Sequence, residues 1–236
     1  MANWFCVNSA VNISSGIFDS NKRFEQTLDT AESIRKYCPD PIICLVDGSP
    51  IPFTDEQRTK LKEVYDHVLE FSDDPMIKFM HTRYNIQQLK SPCDFYLTEQ
   101  FLIQMPIKET DRVFRITGRY KLSEKFNIEQ HKVDKLVIAP KGKSCLYFDR
   151  QTGKNYEPIT EYQYIRARLY SFPGTMIPYM RDKYNQMSQF FWELYKTSFS
   201  DLEHVLYKFI DPEMVMEVPT IGVTGVFAER DQLVDE

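Results

Sequence analysis

Short apolar runs alternate with amphipathic stretches through roughly the first 120 residues of the chain. That alternation predicts an α/β sheet with helices on its faces. Residues 4–10 read as the first strand, and Asp19 or Ser20 caps a helix in which Phe24, Leu28, Ala31 and Ile34 recur at helical spacing. Pro39 and Pro41 end that helix, and residues 42–46 form a short apolar run of the kind buried in parallel sheets. A Thr54-x-x-Gln57 capping box predicts a helix to about residue 66, followed by a strand at 67–71. Asp73-Asp74-Pro75 opens the next helix, with proline at its first position. Ser91-Pro92-x-Asp94 opens another through Leu97, Phe101 and Met105, and residues 112–117 make the fourth strand.

Beyond residue 122 the pattern is less regular. Segments 135–139, 144–148 and 164–170 read as a small antiparallel addition, with Gly142 and Gly153 in the turns. A long helix is expected over 177–196, and a Ser200-x-x-Glu203 capping box predicts a helix to about residue 210. Residues 214–228 return to extended structure, broken by Gly222 and Gly225. The whole reads as one domain over 1–236, in which 1–122 holds a nucleotide and 123–236 shapes an acceptor pocket.

Length and composition narrow the class. A chain of 236 residues supports one large domain, and 42% hydrophobic with 27% charged residues excludes a disordered polymer. The 17 Phe and 14 Tyr suit a Phe-rich core better than a base- or sugar-lined pocket. A net charge of −5 argues against a nucleic-acid partner, which requires a basic face. No run approaches the ~20 apolar residues of a membrane span. The start MANWFCVNSAV lacks the features of a signal peptide, and five cysteines without a CxxC pair suit buried thiols, so a cytoplasmic location is expected.

Ligands of open α/β sheets gather at the carboxyl ends of the strands. The polar residues there are Asn8-Ser9 with the Ser14-Ser15-Gly16 loop, Asp47-Gly48-Ser49, Ser72-Asp73-Asp74 and Thr117-Gly118-Arg119. Asp47 suits either a ribose contact or the Asp-Gly turn it occupies. Asp73-Asp74 resembles the start of a magnesium site, but helix capping before Pro75 explains it without a metal. The four histidines show no zinc-ligand spacing, and no GxGxxG, P-loop, GxSxG or HExxH occurs. No metal-ligand set is assigned.

Four stretches carry a family likeness. Arg23-Phe24-x-Gln26-Thr27-Leu28-x-Thr30-x-x-Ser33-Ile34-Arg35, Leu45-Val46-Asp47-Gly48-Ser49, Phe114-Arg115-Ile116-Thr117-Gly118-Arg119-Tyr120 and Ile221-Gly222-Val223-x-Gly225 resemble small GT-A-type glycosyltransferases, in particular members carried by bacteria, phages and large viruses. The likeness covers most of the chain, and order and spacing carry it more than any one motif. It implies a Rossmann-like GT-A domain with a mostly parallel sheet, helices on both faces, and a nucleotide-diphosphate sugar bound at the carboxyl edge. It implies that Ser9, Ser14 and Asp47 face the nucleotide, and that Asp201 or Glu203 supplies the catalytic carboxylate of a late helix. Where that family carries an Asp-x-Asp metal motif this chain has Thr117-Gly118-Arg119, and no histidine follows His204. Little metal dependence is therefore expected, with magnesium or manganese entering only alongside the donor.

The chemistry gives Arg119 its own case. Glycosyl transfer passes through an oxocarbenium-like state while a diphosphate departs with growing negative charge. A guanidinium is always protonated and fits phosphate oxygens bidentately. Lys121 is expected to add a second charge, and Gly118 to allow close backbone approach. An acceptor hydroxyl must also lose a proton, which calls for a carboxylate: Asp201, or Glu203 despite its place in the capping box. Glu99 faces either nucleotide or solvent, and Arg166 and Arg168, on one side of a strand, either meet a phosphate or form its solvated face, the second being the favoured reading. The function expected is transfer of a sugar to a hydroxyl of a glycan or glycosylated macromolecule. The rivals are a non-catalytic nucleotide-sugar or glycan-binding protein and a sugar nucleotidyltransferase.

Overall fold

The computed structural model of the protein describes residues 1–13, 18–83, 86–143, 147–149, 154–156, 163–194, 201–227 and 232–236. Its first half runs β1 (Asn3–Ser9), α1 (Ser20–Tyr37), β2 (Pro41–Asp47), α2 (Asp55–Val64), β3 (His67–Glu70), α3 (Pro75–Arg83), α4 (Ile86–Gln104) and β4 (Arg112–Thr117). After the turn at Gly118-Arg119 come β5 (Tyr120–Leu122), β6 (Leu136–Ile138), β7 (Gly142–Lys143), β8 (Tyr147–Asp149), β9 (Lys154–Tyr156), β10 (Gln163–Tyr164) and β11 (Leu169–Pro173). The chain continues through α5 (Ile177–Leu194), α6 (Leu202–Phe209), β12 (Val215–Glu217), β13 (Val223–Phe227) and β14 (Gln232–Asp235).

The central sheet has seven strands in the order β12-β6-β11-β4-β1-β2-β3. β1 pairs in parallel with both β2 and β4, β2 with β3, and β6 with β12, while β11 runs antiparallel to β4 and β6. Successive strand residues point to opposite faces, and both faces are covered. Trp4, Cys6, Cys44, Val46 and Val113 pack under α3, α4, α5 and α6 through residues such as Met80, Phe95, Phe101, Met180 and Tyr184. Phe5, Val7, Ile43, Leu45, Phe114 and Ile116 pack against α1 and α2 through Ala31, Ile34 and Leu61. Two-sided burial is the reason these strands read as unbroken apolar runs.

Four expectations need correction. The helix expected to begin at Ser91 begins at Ile86 and carries Pro92 inside it. Burial of Cys93, Phe95, Leu97, Phe101 and Leu102 against the sheet outweighs the local preference of Ser-Pro to start a helix. Leu136–Ile138 and Leu169–Pro173 are not an antiparallel addition but strands of the central sheet, buried almost throughout. The small antiparallel sheet is instead β5-β13-β14. Gly225 does not break the tail but lies within β13, where a Cβ would sit 2.5 Å from Cδ1 of Tyr120, so an aromatic ring fills the space a side chain would need. Finally, α6 is capped by Asp201, whose side chain accepts from the His204 N–H at 2.9 Å; Ser200 lies outside the described residues.

Candidate active site

The carboxyl ends of β1, β2 and β4 are tied into one surface. The Gly118 N–H donates to Asn8 O at 2.7 Å and the Gly48 N–H to Ser9 O at 3.0 Å. From α1, the Thr27 hydroxyl lies 2.9 Å from Ser9 Oγ and 3.3 Å from Gly118 O. A Cβ on Gly118 would come 3.0 Å from Ser9 Cβ and 3.3 Å from Asn8 O. The bare α-carbon therefore serves contact with β1 rather than with a ligand.

Asp47 is buried at the end of β2 and its two oxygens accept from the Val11 and Ser49 N–H groups, each at 2.9 Å. Burial pushes its carboxyl up to about 6. It shapes the start of the loop after β1, whose member Ser14 lies outside the described residues. Ser9 stands at the surface of the convergence, half-buried beside Thr27.

Beneath it lies a charge pair that the sequence did not single out as such. Arg115 sits fully buried at the middle of β4, on the face covered by α4, and pairs with Asp94 and the Ala167 carbonyl. Asn8 Nδ2 donates to Asp94 Oδ1 at 3.1 Å. Burial raises the Asp94 pKa, opposed chiefly by Arg115. The available signal was an arginine inside an otherwise apolar run, which requires a buried partner.

Arg119 is half-buried in the β4–β5 turn, its guanidinium 5.4 Å from the centroid of the Tyr120 ring, and its buried Nε has no hydrogen-bond partner. Its charge reaches Asp94 and also Arg23 on α1, whose pKa is lowered first by burial and then by Arg119. Arg23 itself is anchored on the Phe18 and Ala10 carbonyls at 2.9 and 3.3 Å. Thr117, half-buried, ends β4 and takes the Arg168 carbonyl through its N–H at 3.2 Å. Arg168 approaches the Tyr120 ring too, at 5.7 Å, so the two guanidiniums share one aromatic ring. Residues 165–168 form no strand, and Arg166 and Arg168 are not a solvated face: both pair with the Glu236 carboxylate.

Lys121 departs from expectation. The turn at Arg119 interrupts strand alternation, and Lys121 faces outward 3.5 Å from Asp29, beside an open groove of about 570 Å³ between α1 and the small sheet. It is not grouped with Arg119.

At the start of α6, Asp201 Oδ1 accepts the His204 N–H and lies 2.6 Å from His204 Nδ1, so its duty is to cap the helix and hold that imidazole. Glu203 is half-buried, and burial, reinforced by the Asp201 charge, pushes its pKa up to about 7 against the pull of Arg168 and Arg115. The Arg119 charge acts on Asp94 and the Arg115 charge on Glu203, so these groups are electrostatically linked.

The donor set does not fit a divalent cation. Thr117-Gly118-Arg119 offers no carboxylate, Asp94 is committed to Arg115, and Asp74 caps α3 through the Met76 and Ile77 N–H groups at 2.8 and 3.0 Å. Asp73 is exposed and bound to Lys78. Among the described residues no group of three or more His, Cys, Asp or Glu is placed to hold a metal, and no helix is long and apolar enough to cross a membrane.

No protein-family model matches the chain, and no curated protein matches it in sequence. Solved structures do match it in shape. The bifunctional glycosyltransferase WbbM, in an apo structure, superposes with a TM-score of 0.54 at 11% identity, over 92% of this chain and 38% of that one. The galactosyltransferase LgtC, solved with donor and acceptor sugar analogs, gives 0.53 at 12% identity over 92% and 73%. Core-mannan synthase A from Aspergillus fumigatus, in a Mn/GDP form, gives 0.52 at 10% identity over 92% and 72%. The fold is the GT-A glycosyltransferase fold: a mostly parallel central sheet, helices around it and a small antiparallel sheet. This chain spans little more than a third of WbbM.

Proposed function

We propose that the protein is a nucleotide-sugar-dependent glycosyltransferase that moves a sugar from a nucleotide-diphosphate donor to a hydroxyl of a glycan or glycosylated macromolecule. The observation that carries this reading is Arg119, half-buried in the turn at the carboxyl edge of the sheet with its buried Nε lacking a hydrogen-bond partner, its charge felt by Arg23 on α1. A guanidinium with an unmade hydrogen bond at that edge suits an anionic ligand. The diphosphate of a sugar donor supplies that anion at the edge where open sheets bind nucleotides.

In this reading Arg119 steadies the leaving diphosphate as its charge grows. Glu203, about half ionised near neutrality, accepts the proton of the acceptor hydroxyl, and Asp201 positions the start of α6. Ser9, Ser14, Asp47, Thr117 and Gly118 line or shape the nucleotide side, Asp47 through the loop it organises. Residues 1–122 supply the donor half of a single domain and 123–236 the acceptor half. Metal dependence is weak, magnesium or manganese serving only as a companion of the donor. The four described cysteines are free and buried, which suits a reducing, cytoplasmic location.

The absence of a carboxylate at the Thr117-Gly118-Arg119 position favours one rival, a binding protein that has lost catalysis. A thermal-shift panel of nucleotide sugars, with and without manganese, followed by assay of nucleotide release separates the two. A donor at ~100 times its Kd adds about 2.7 kcal/mol of stability. Slow release of free nucleotide marks an enzyme, whereas binding with no release from donor, in the presence or absence of glycan acceptors, rejects the transferase.

A further inference from the structure

Arg166 and Arg168 stand beside the candidate donor site, and their present partner matches them poorly. The Arg168 carbonyl is bonded to the N–H of Thr117, so the pair adjoins the turn that carries Arg119. Both guanidiniums contact a single oxygen, Oε1 of Glu236, with Arg166 at 2.6 Å. The other oxygen, Oε2, is buried without a partner, as is Nε of Arg166. The two guanidiniums thus share one carboxylate oxygen, and Arg119 approaches the same Tyr120 ring as Arg168. The Arg168 charge also acts on Glu203.

Buried charged groups with unmade hydrogen bonds are unfavourable, and a ligand that makes those bonds gains what the free protein forgoes. A diphosphate carries more charge than a carboxylate and presents several oxygens to guanidinium forks. The Glu236 main chain is held independently, by bonds between it and Gly222 and Val223 at 2.7 to 2.9 Å. Those bonds do not involve its side chain, so release of the carboxylate from the arginines leaves them in place.

We propose that Arg166 and Arg168 form a second phosphate-binding pair beside Arg119, and that Glu236 fills it in the free protein as a carboxylate stand-in for the donor's diphosphate. The proposal rests on the transferase reading for the identity of the anion. Glu236 then acts as a built-in competitor that weakens binding until a diphosphate replaces it. A conformation blocked nine-tenths of the time reduces apparent affinity about ten-fold.

The test is calorimetric titration of inorganic pyrophosphate into the wild-type chain and into Glu236→Gln, Arg166→Gln and the double variant, each checked for an unchanged melting transition. Glu236→Gln keeps the size of the side chain and removes its charge, so it should bind pyrophosphate roughly ten-fold tighter than wild type. Arg166→Gln should bind more weakly, and the gain from Glu236→Gln should vanish in the Arg166→Gln background. Unchanged or weaker binding by Glu236→Gln overturns the proposal, as does a gain that persists without Arg166. If the Glu236 variants behave alike toward pyrophosphate while Arg119→Ala still abolishes donor turnover, the subsite fails and the transferase reading stands. If pyrophosphate binding follows the proposal but no nucleotide sugar binds or turns over, the subsite stands and the transferase reading fails.

Discussion

Asp94 on α4 and Arg115 at the centre of β4 form an ion pair in which Arg115 is wholly buried, and the pair links the floor of the candidate site to the sheet. Asn8 and the Ala167 carbonyl complete its hydrogen bonding. Removing one member leaves the other as an uncompensated buried charge, at a cost of about 3–5 kcal/mol. Asp94→Asn should therefore lower the midpoint of urea unfolding strongly. Replacing both by apolar residues, as in Asp94→Leu with Arg115→Met, should be far less damaging than the sum of the single changes. A loss below 1 kcal/mol for Asp94→Asn would show that the pair does not anchor the site.

The strands β1 and β2 were legible because burial on both faces leaves unbroken apolar runs, Phe5-Cys6-Val7 and Ile43-Cys44-Leu45-Val46. The central-sheet roles of β6 and β11 were not, because strands of three and five residues carry too little pattern to separate a sheet centre from an edge. The caps at Asp19, Thr54 and Asp74 followed from local chemistry, and all three accept from main-chain N–H groups as that chemistry requires. Partnerships distant in sequence were beyond reach. Arg115 with Asp94, and Arg166 and Arg168 with Glu236, depend on which strands become neighbours. Lys121 was expected beside Arg119 only if the strand continued, and a two-residue turn instead separates β4 from β5, with Lys121 contacting Asp29.

Arg119 and Lys121 should therefore respond differently to substitution. Arg119→Ala removes the guanidinium proposed to steady the donor's diphosphate and should lower turnover ~10²-fold or more, the scale of a lost oxyanion donor. Lys121→Ala removes an exposed contact with Asp29 and should leave turnover within about two-fold of wild type, since exposed pairs contribute little. Steady-state kinetics on both variants decides it. Equal losses would return Lys121 to the site, and a fully active Arg119→Ala would remove Arg119 from it. Activity should survive a chelator, and complete loss restored by manganese would contradict the mismatch between these residues and a cation.

A buried histidine should give the fold an acid-sensitive stability. Ser171 Oγ accepts from both Nε and Nη2 of Arg112, at 3.1 and 2.8 Å, so its hydroxyl hydrogen points to Nδ1 of His131, 2.7 Å away. That assignment places the imidazole proton on Nε2, and protonating Nδ1 would break the bond. Burial, with the Arg112 charge, lowers the pKa of His131 from 6.5 to about 3. Between these values the unfolded chain binds the proton and the folded chain does not. The contribution of His131 is complete above pH 6.5 and is lost as pH falls toward 3. It is on the order of 5 kcal/mol. Denaturant unfolding at pH 7 and pH 4 should show wild type losing more stability than His131→Gln, and equal losses would remove the assignment.

Glu203 predicts the pH dependence of the reaction itself. Acting as a base it must be ionised, and burial together with the Asp201 charge places its pKa at about 7. Turnover should then rise with pH and level off above that value, rather than follow an ordinary glutamate near 4.5. Glu203→Gln should lower turnover by ~10²–10⁴-fold and abolish the rising limb, the range expected for loss of a general base. Asp201→Asn removes the neighbouring negative charge that helps raise the Glu203 pKa, so the limb should move to lower pH. Asparagine caps a helix about as well as aspartate, so the same change should leave the α6 cap in place while the limb moves. Measurement of kcat against pH for the three proteins separates these effects. A limb that stays in place in Asp201→Asn and persists in Glu203→Gln would assign the proton to another group.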